Sequence, residues 1–154
     1  MKKHNLVLVP GLMCDHSAWD PMLEGLRPVA CCQIIDHGQA RSLVVMAQQL
    51  LALAPPRFAL AGHSMGATVS LLAARLRPVR VAGLVLLDPP MLPFDVAREV
   101  RAGAIIPNPM ADQAARRRGM FPSRADARAA YHGRGVFKTW SDADLDAYLA
   151  GGLL

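Results

Sequence analysis

Residues 57–77, RFALAGHSMGATVSLLAARLR, constrain the chain more than any other stretch. Phe58 to Ala61 form an apolar run that ends in Gly62, and from Met65 the apolar positions Val69, Leu71, Leu72 and Leu76 follow a helical pattern. A strand therefore turns into a helix at Ser64. A turn that tight strains the central residue and leaves no room for a Cβ two residues before it or two after. Gly62 and Gly66 meet that demand. The geometry lifts the Ser64 hydroxyl above the end of the sheet, and the helix points its free N–H groups and positive dipole end at the same space. A nucleophile and part of an oxyanion site come from one turn.

The alternation continues on both sides. Leu6 to Val9 is an apolar run ended by Pro10-Gly11, as expected for a buried parallel strand. Leu12 to His16 form a loop. Ser17 and Asp20 stand at capping-box spacing before a helix of about ten residues with Pro21 in its first turn. Cys31 to Ile35 read as a second strand, and Ser42 as the cap of a helix over Leu43 to Leu53 that Pro55-Pro56 ends. Val81 to Leu87 form a fourth strand stopped by Asp88-Pro89-Pro90. Strands and helices alternating at this spacing specify an α/β class with a parallel sheet and right-handed crossovers.

The elbow GHSMGA, with LVLVPGL upstream and VAGLVLLD downstream, resembles the α/β-hydrolase fold family, in particular small bacterial serine hydrolases with a helical cap. The resemblance covers roughly Leu6 to Pro90 well and the rest loosely. It implies Ser64 as nucleophile within the elbow Gly62, His63 and Gly66, with His63 pointing away from the hydroxyl. It also implies an oxyanion hole from the backbone N–H groups of Leu12 and Met65, and strands in the spatial order second, first, third, fourth. Residues 91–154, rich in Pro and Arg, carry helical patterns near Phe94 to Gly103, Met110 to Gly119, Ser123 to Tyr131 and Ser141 to Leu149, with a second capping box at Ser141 and Asp144. By the same resemblance they form a cap, so the expected organisation is a partial hydrolase core over 1–90 and a helical cap segment over 91–154. The later half of the core, which carries the acid and histidine of the family's triad, is absent.

A serine hydroxyl needs a base held by a third group before it attacks at neutral pH. His132 is the single histidine after Ser64, and Asp88, at the carboxyl end of a strand, is the best placed acid. Each has a plainer reading: a helix-end histidine, and an aspartate that begins a turn. His16 and His37 lie in strand-end loops as pocket lining. Three explanations stand: a truncated product or fragment of a longer enzyme, a shortened protein that keeps binding and has lost catalysis, or a second chain that completes the sheet through the open edge at Val81 to Leu87. The first is favoured.

Composition narrows the remaining classes. The chain has 154 residues, 53% of them apolar, enough for one domain with a core. Its net charge of +5 is spread along the chain, aromatics are 5%, and Arg116-Arg117-Arg118 is the one basic cluster, so nucleic-acid binding is not expected. Cys14, Cys31 and Cys32 suggest neither a disulfide framework nor a metal site, and a cytoplasmic location is expected. No run approaches membrane-spanning length. No cofactor and no metal is expected. The leading function is a serine hydrolase for a small-molecule acyl substrate, an ester, thioester, lactone or amide, with Met13, Trp19, Met65, Met91, Met110 and Met120 able to line an apolar pocket. The alternative is a non-catalytic ligand-binding or signalling protein of the same fold.

Overall fold

A computed structural model describes residues 3–12, 14–37, 40–107, 109–116 and 118–152. Its elements group into two compact units, Met1–Pro90 with Asp146–Leu154, and Met91–Leu145.

The first unit is built on a sheet of four strands: β1 (His4–Val9), β2 (Ala30–Ile34), β3 (Phe58–His63) and β4 (Val81–Leu87). They lie in the order β2-β1-β3-β4 and are parallel throughout. This is the expected order. Strand β1 is interior, pairing Leu6 with Cys32 on one side and with Ala59 on the other. Its side chains alternate between two cores, as a period of two requires. Val7 and Val9 join Phe58 and Leu60 beneath α2 (Leu43–Leu53) and α3 (Met65–Leu76), whereas Leu8 and Ala61 pack with Trp19 on the face of α1 (Asp20–Leu26).

Helix α2 buries Met46, Ala47, Leu50 and Leu51, a stripe at helical spacing. Helix α3 buries Gly66, Ala67, Val69, Ser70 and Ala73. These are small side chains, which lets the helix lie close on the sheet. Strand β4 is an edge, and Val85 and Leu87 remain 52% and 40% exposed.

Arg80, in the turn before β4, fixes the connection from α2 to β3. Its guanidinium donates to the carbonyls of Leu51, Ala54 and Pro55 at 2.8 Å each and to Pro56 at 3.2 Å. It also stands 5.4 Å from the centroid of the Phe58 ring. The carbonyls of Leu51 and Ala54 end α2 and lack intrahelical donors, so the cation serves as a C-terminal cap.

Two caps differ from the sequence expectation. The Ser17 and Asp20 capping box does not form: Asp15 accepts from Ser17 N at 2.9 Å and from Ser17 Oγ at 2.6 Å, and a short 3-10 turn, His16–Ala18, precedes α1. The carboxylate two residues upstream wins because it binds both donors of Ser17. Ser42 precedes α2 but makes no side-chain cap bond.

The second unit contains α4 (Phe94–Arg101), α5 (Pro109–Ala115) and α6 (Arg124–Tyr131), and α7 (Asp142–Gly152) begins in it. Ser141 and Asp144 bond reciprocally as expected, at 2.6 and 3.2 Å, and Ser123 caps α6 with Asp126 in the same way. Phe121, Tyr131, Phe137 and Trp140 form a chain of ring contacts with centroids 4.9 to 5.4 Å apart. No described helix is long and apolar enough to cross a membrane.

Candidate active site

Ser64 stands between the last residue of β3 and the first of α3 with φ 52° and ψ −122°. A non-glycine residue in that region is under strain, and strain of this kind persists only where the surroundings enforce it. Three hydrogen bonds and two close backbone approaches do so. Ser64 N–H donates to Leu87 O at 2.8 Å, which ties the elbow to the end of β4. Ser64 O accepts from Ala67 N at 2.9 Å, closing the first turn of α3. A Cβ on Gly62 would fall closer than 3.0 Å to the backbone of Gly66 and to Ser70 Oγ, and one on Gly66 would fall closer than 3.0 Å to the carbonyls of Val9 and Pro10. Both glycines are therefore required by close approach of backbone, as the motif demands. Ser70 Oγ, fully buried, donates to Gly66 O at 2.8 Å and holds the turn from below.

The loop after β1 comes to the same place. A Cβ on Gly11 would lie 3.4 Å from Ser64 Cβ and 3.3 Å from His63 Nδ1, so the Pro10-Gly11 turn runs alongside the elbow. Leu12 follows directly and is 65% exposed. Met65 supplies the first N–H of α3, one of the donors a helix start leaves without an intrahelical acceptor. His37, in the loop after β2, is buried, and its Nε2–H donates to Pro10 O at 3.1 Å. The sequence assigned His37 to pocket lining; the bond gives it a different task, bracing the turn beside Ser64 from 27 residues away in the chain.

Other sequence candidates fall elsewhere. Asp88 follows Leu87 at the carboxyl end of β4, exposed and at φ 47°. His132 belongs to the second unit, where its Nε2 lies 3.0 Å from Asp142 Oδ1, an oxygen that Arg128 also contacts at 3.0 Å. His16 pairs on the surface with Asp20, Nδ1 to Oδ2 3.1 Å. Trp19 is not a pocket residue: it is 4% exposed and packs with Leu8 and Ala61, because the turn before α1 directs it into the core. Met65 is half-buried against the larger core, and Met91 and Met120 are exposed residues of the second unit. Met13, Arg117 and the side chain of Met110 lie outside the described residues.

Near the elbow, burial pushes the Cys14 thiol up from its ordinary value, and the Asp15 carboxylate adds to the effect. The Ser17 hydroxyl and N–H hold the Asp15 carboxyl below the usual carboxylate range. Among the described residues no three His, Cys, Asp or Glu side chains gather as a metal site requires.

Residues 27–124 match the alpha/beta hydrolase fold family, and the chain belongs to it. Its four-stranded parallel sheet with flanking helices is a partial α/β-hydrolase core. Over 96 residues, 56% of this chain, it is 36% identical to the biotin biosynthesis bifunctional protein BioHC of Cellvibrio japonicus, of which it spans 19%. A probable hydrolytic enzyme from Pseudomonas aeruginosa aligns with a TM-score of 0.62 at 21% identity, covering 98% of this chain and 52% of that one. The N-formylmaleamic acid deformylase of Pseudomonas putida aligns with a TM-score of 0.62 at 20% identity, covering 96% and 59%. The chain thus spans little more than half the length of these solved structures, and at such identities the likeness speaks to the fold.

Proposed function

We propose that the chain carries the nucleophile half of a serine hydrolase acting on a small ester, thioester, lactone or amide. The observation that carries this reading is the strained Ser64, held at φ 52° at a strand-to-helix turn between two glycines that cannot bear a Cβ. In the proposed reaction Ser64 Oγ attacks the acyl carbonyl as its proton passes to a base. The N–H groups of Leu12 and Met65 stabilise the oxyanion, and collapse of the tetrahedral species expels the alcohol, thiol or amine, protonated by the same base. Water then releases the acyl group by the reverse sequence. His37 positions the loop that presents Leu12. The identified relatives include a deformylase, and a thioesterase domain from the curacin biosynthetic pathway aligns with a TM-score of 0.58; both names fit acyl chemistry.

The base and acid are proposed to come from outside these 154 residues. What supports this is the engagement of His132 with Asp142 and the extent of the solved relatives, of which the chain covers 52 and 59%. Oxyanion donors and binding alone leave about 10³ to 10⁴ over water, so this chain by itself should acylate slowly. The test is intact-mass analysis after exposure to a fluorophosphonate, with Ser64→Ala as control. One slowly formed adduct at Ser64, missing from the variant, is the expected result. An adduct elsewhere, or equal labelling of Ser64→Ala, overturns the assignment of the nucleophile. Complete inertness of folded protein favours the second reading, a ligand-binding or signalling protein of the same fold, for which the engaged His132 is the supporting observation.

A further inference from the structure

The loop that presents Leu12 is fixed at its start, its middle and its end. At the start His37 holds Pro10 O, and Gly11 runs beside Ser64. In the middle Cys14 N–H donates to Gly11 O at 3.2 Å and closes the turn that contains Leu12. At the end Asp15 Oδ1 gathers Ser17 N and Ser17 Oγ, and buried Trp19 anchors the chain in the core. A helix far along the chain touches that same end.

Helix α7 closes with Gly151 and Gly152. Glycine is the poorest helix former after proline, and at a helix end it is ordinarily explained by a left-handed cap at positive φ. Gly151 is helical and its φ is not positive, so its lack of a side chain has another cause. A Cβ at 151 would collide with Ser17 Oγ and would lie 2.9 Å from Asp15 Oδ1 and 3.0 Å from Ser17 Cβ. The hydroxyl could turn aside only by releasing its 2.6 Å bond to Asp15, and Ser17 Cβ cannot turn at all. The last turn of α7 therefore lies directly on the Asp15 and Ser17 turn, and all three residues belong to the first unit. Leu149, buried two residues earlier, seats the same stretch of helix. Charge does not draw the parts together, since a carboxylate gains nothing from the negative end of a helix. The contact is one of fit.

From this we infer that Gly151 is a positioning residue for the oxyanion loop: the end of α7 bears on Asp15 and Ser17 and thereby fixes where the Leu12 N–H stands relative to Ser64. The inference rests on the serine-hydrolase reading proposed above. A methyl at 151 pushes Asp15 and Ser17 away, Cys14 N–H moves with them, and the turn closed on Gly11 O loosens. A misplacement of about 1 Å costs about 10² in rate. Part of the shift reaches Leu12, three residues from Asp15, so the expected loss is about tenfold.

Two readouts on the whole chain test it. Alkylation of Cys14 by iodoacetamide at pH 8, followed by peptide mapping, reports the loop independently of any chemistry at Ser64. The rate at which a fluorophosphonate labels Ser64 reports the consequence. Gly151→Ala should speed Cys14 alkylation about threefold or more, through local opening of the loop, and slow Ser64 labelling about tenfold. Gly25→Ala, in α1 where a Cβ meets nothing within 4 Å, controls for alanine in a helix and should change neither. Ser17→Gly removes the hydroxyl and the Cβ that the methyl meets, so in that background Gly151→Ala should slow labelling by less than about twofold. Unchanged Cys14 alkylation in Gly151→Ala overturns the inference whatever happens at Ser64. Faster Cys14 alkylation with unchanged Ser64 labelling overturns the link from the loop to the oxyanion donor, and an undiminished loss in the Ser17→Gly background overturns the route through Ser17. A wild-type chain that takes no label counts against the hydrolase reading, and Cys14 alone then decides whether Gly151 holds the loop.

Discussion

Arg80→Ala should be the most destabilising single change at the surface of the first unit. The arginine makes four hydrogen bonds to consecutive or near-consecutive carbonyls, three of them at 2.8 Å and partly buried, and it lies over the Phe58 ring. A net contribution of about 1 kcal/mol per bond gives an upper figure of about 4 kcal/mol. Arg80 is half-buried, so water reaches some of the released carbonyls, and the expected loss is about 2–4 kcal/mol. With a urea m-value of about 2 kcal/mol/M, the unfolding midpoint falls by about 1–2 M. The assay is urea unfolding followed by circular dichroism, at fixed protein concentration because association would add to apparent stability. Arg80→Lys separates the causes. A single ammonium cannot span four carbonyls, so it should recover less than half of the loss. Full recovery by lysine would mean that a point charge at the end of α2 suffices, and a midpoint shift under about 0.25 M, within the range of ordinary surface changes, would refute the fork altogether.

Four further outcomes are expected. Gly66→Ala forces a methyl into the carbonyls of Val9 and Pro10, which backbone cannot yield, so stability should drop by about 3 kcal/mol or more on urea unfolding and fluorophosphonate labelling of Ser64 should disappear. His37→Ala leaves Pro10 O without its donor at a cost of about 1–2 kcal/mol, and slower Ser64 labelling in protein shown to be folded would separate loop positioning from plain stability. Because Ser17 holds the Asp15 carboxyl below its usual range, the stabilisation is present above the unfolded value and lost as pH falls through the folded one; Ser17→Ala should raise the carboxyl's titration midpoint in an NMR titration and flatten that acid limb. Among the thiols, exposed Cys31 should be alkylated by iodoacetamide at pH 8 before Cys14, whose burial keeps it protonated, with peptide mapping as the readout.

What the sequence made legible was whatever depends on neighbours along the chain. Helix Leu43–Leu53 and strand Val81–Leu87 lie where apolar periodicity and the prolines after them put them. Gly62 and Gly66 were readable because the demand for a missing Cβ arises within five residues. Contacts made across the fold were not legible. His37 reaches a carbonyl 27 residues away, and Arg80 finds carbonyls 24 to 29 residues away, which no local pattern announces. Trp19 looked available to a pocket because its spacing says nothing about which way a 3-10 turn faces it. Ser17 sat at capping distance from Asp20, yet Asp15 engaged both of its donors first.

The interior position of β1 has a consequence for how the chain is made. Strand β1 leaves the ribosome before the neighbour that completes its pairing, β3, which is encoded 53 residues later, Leu6 against Ala59. At about 5–20 residues per second, Val7, Leu8 and Val9 wait roughly 3–10 s with one flank unpaired. Strand β2 and α1 arrive sooner and can shelter one side, but the elbow cannot form until Val9 and Pro10 offer the surface into which Gly66 packs. Emergence of α3 is thus the earliest step at which the strained serine turn can form, and the bond from Ser64 N to Leu87 O is added only when β4 follows.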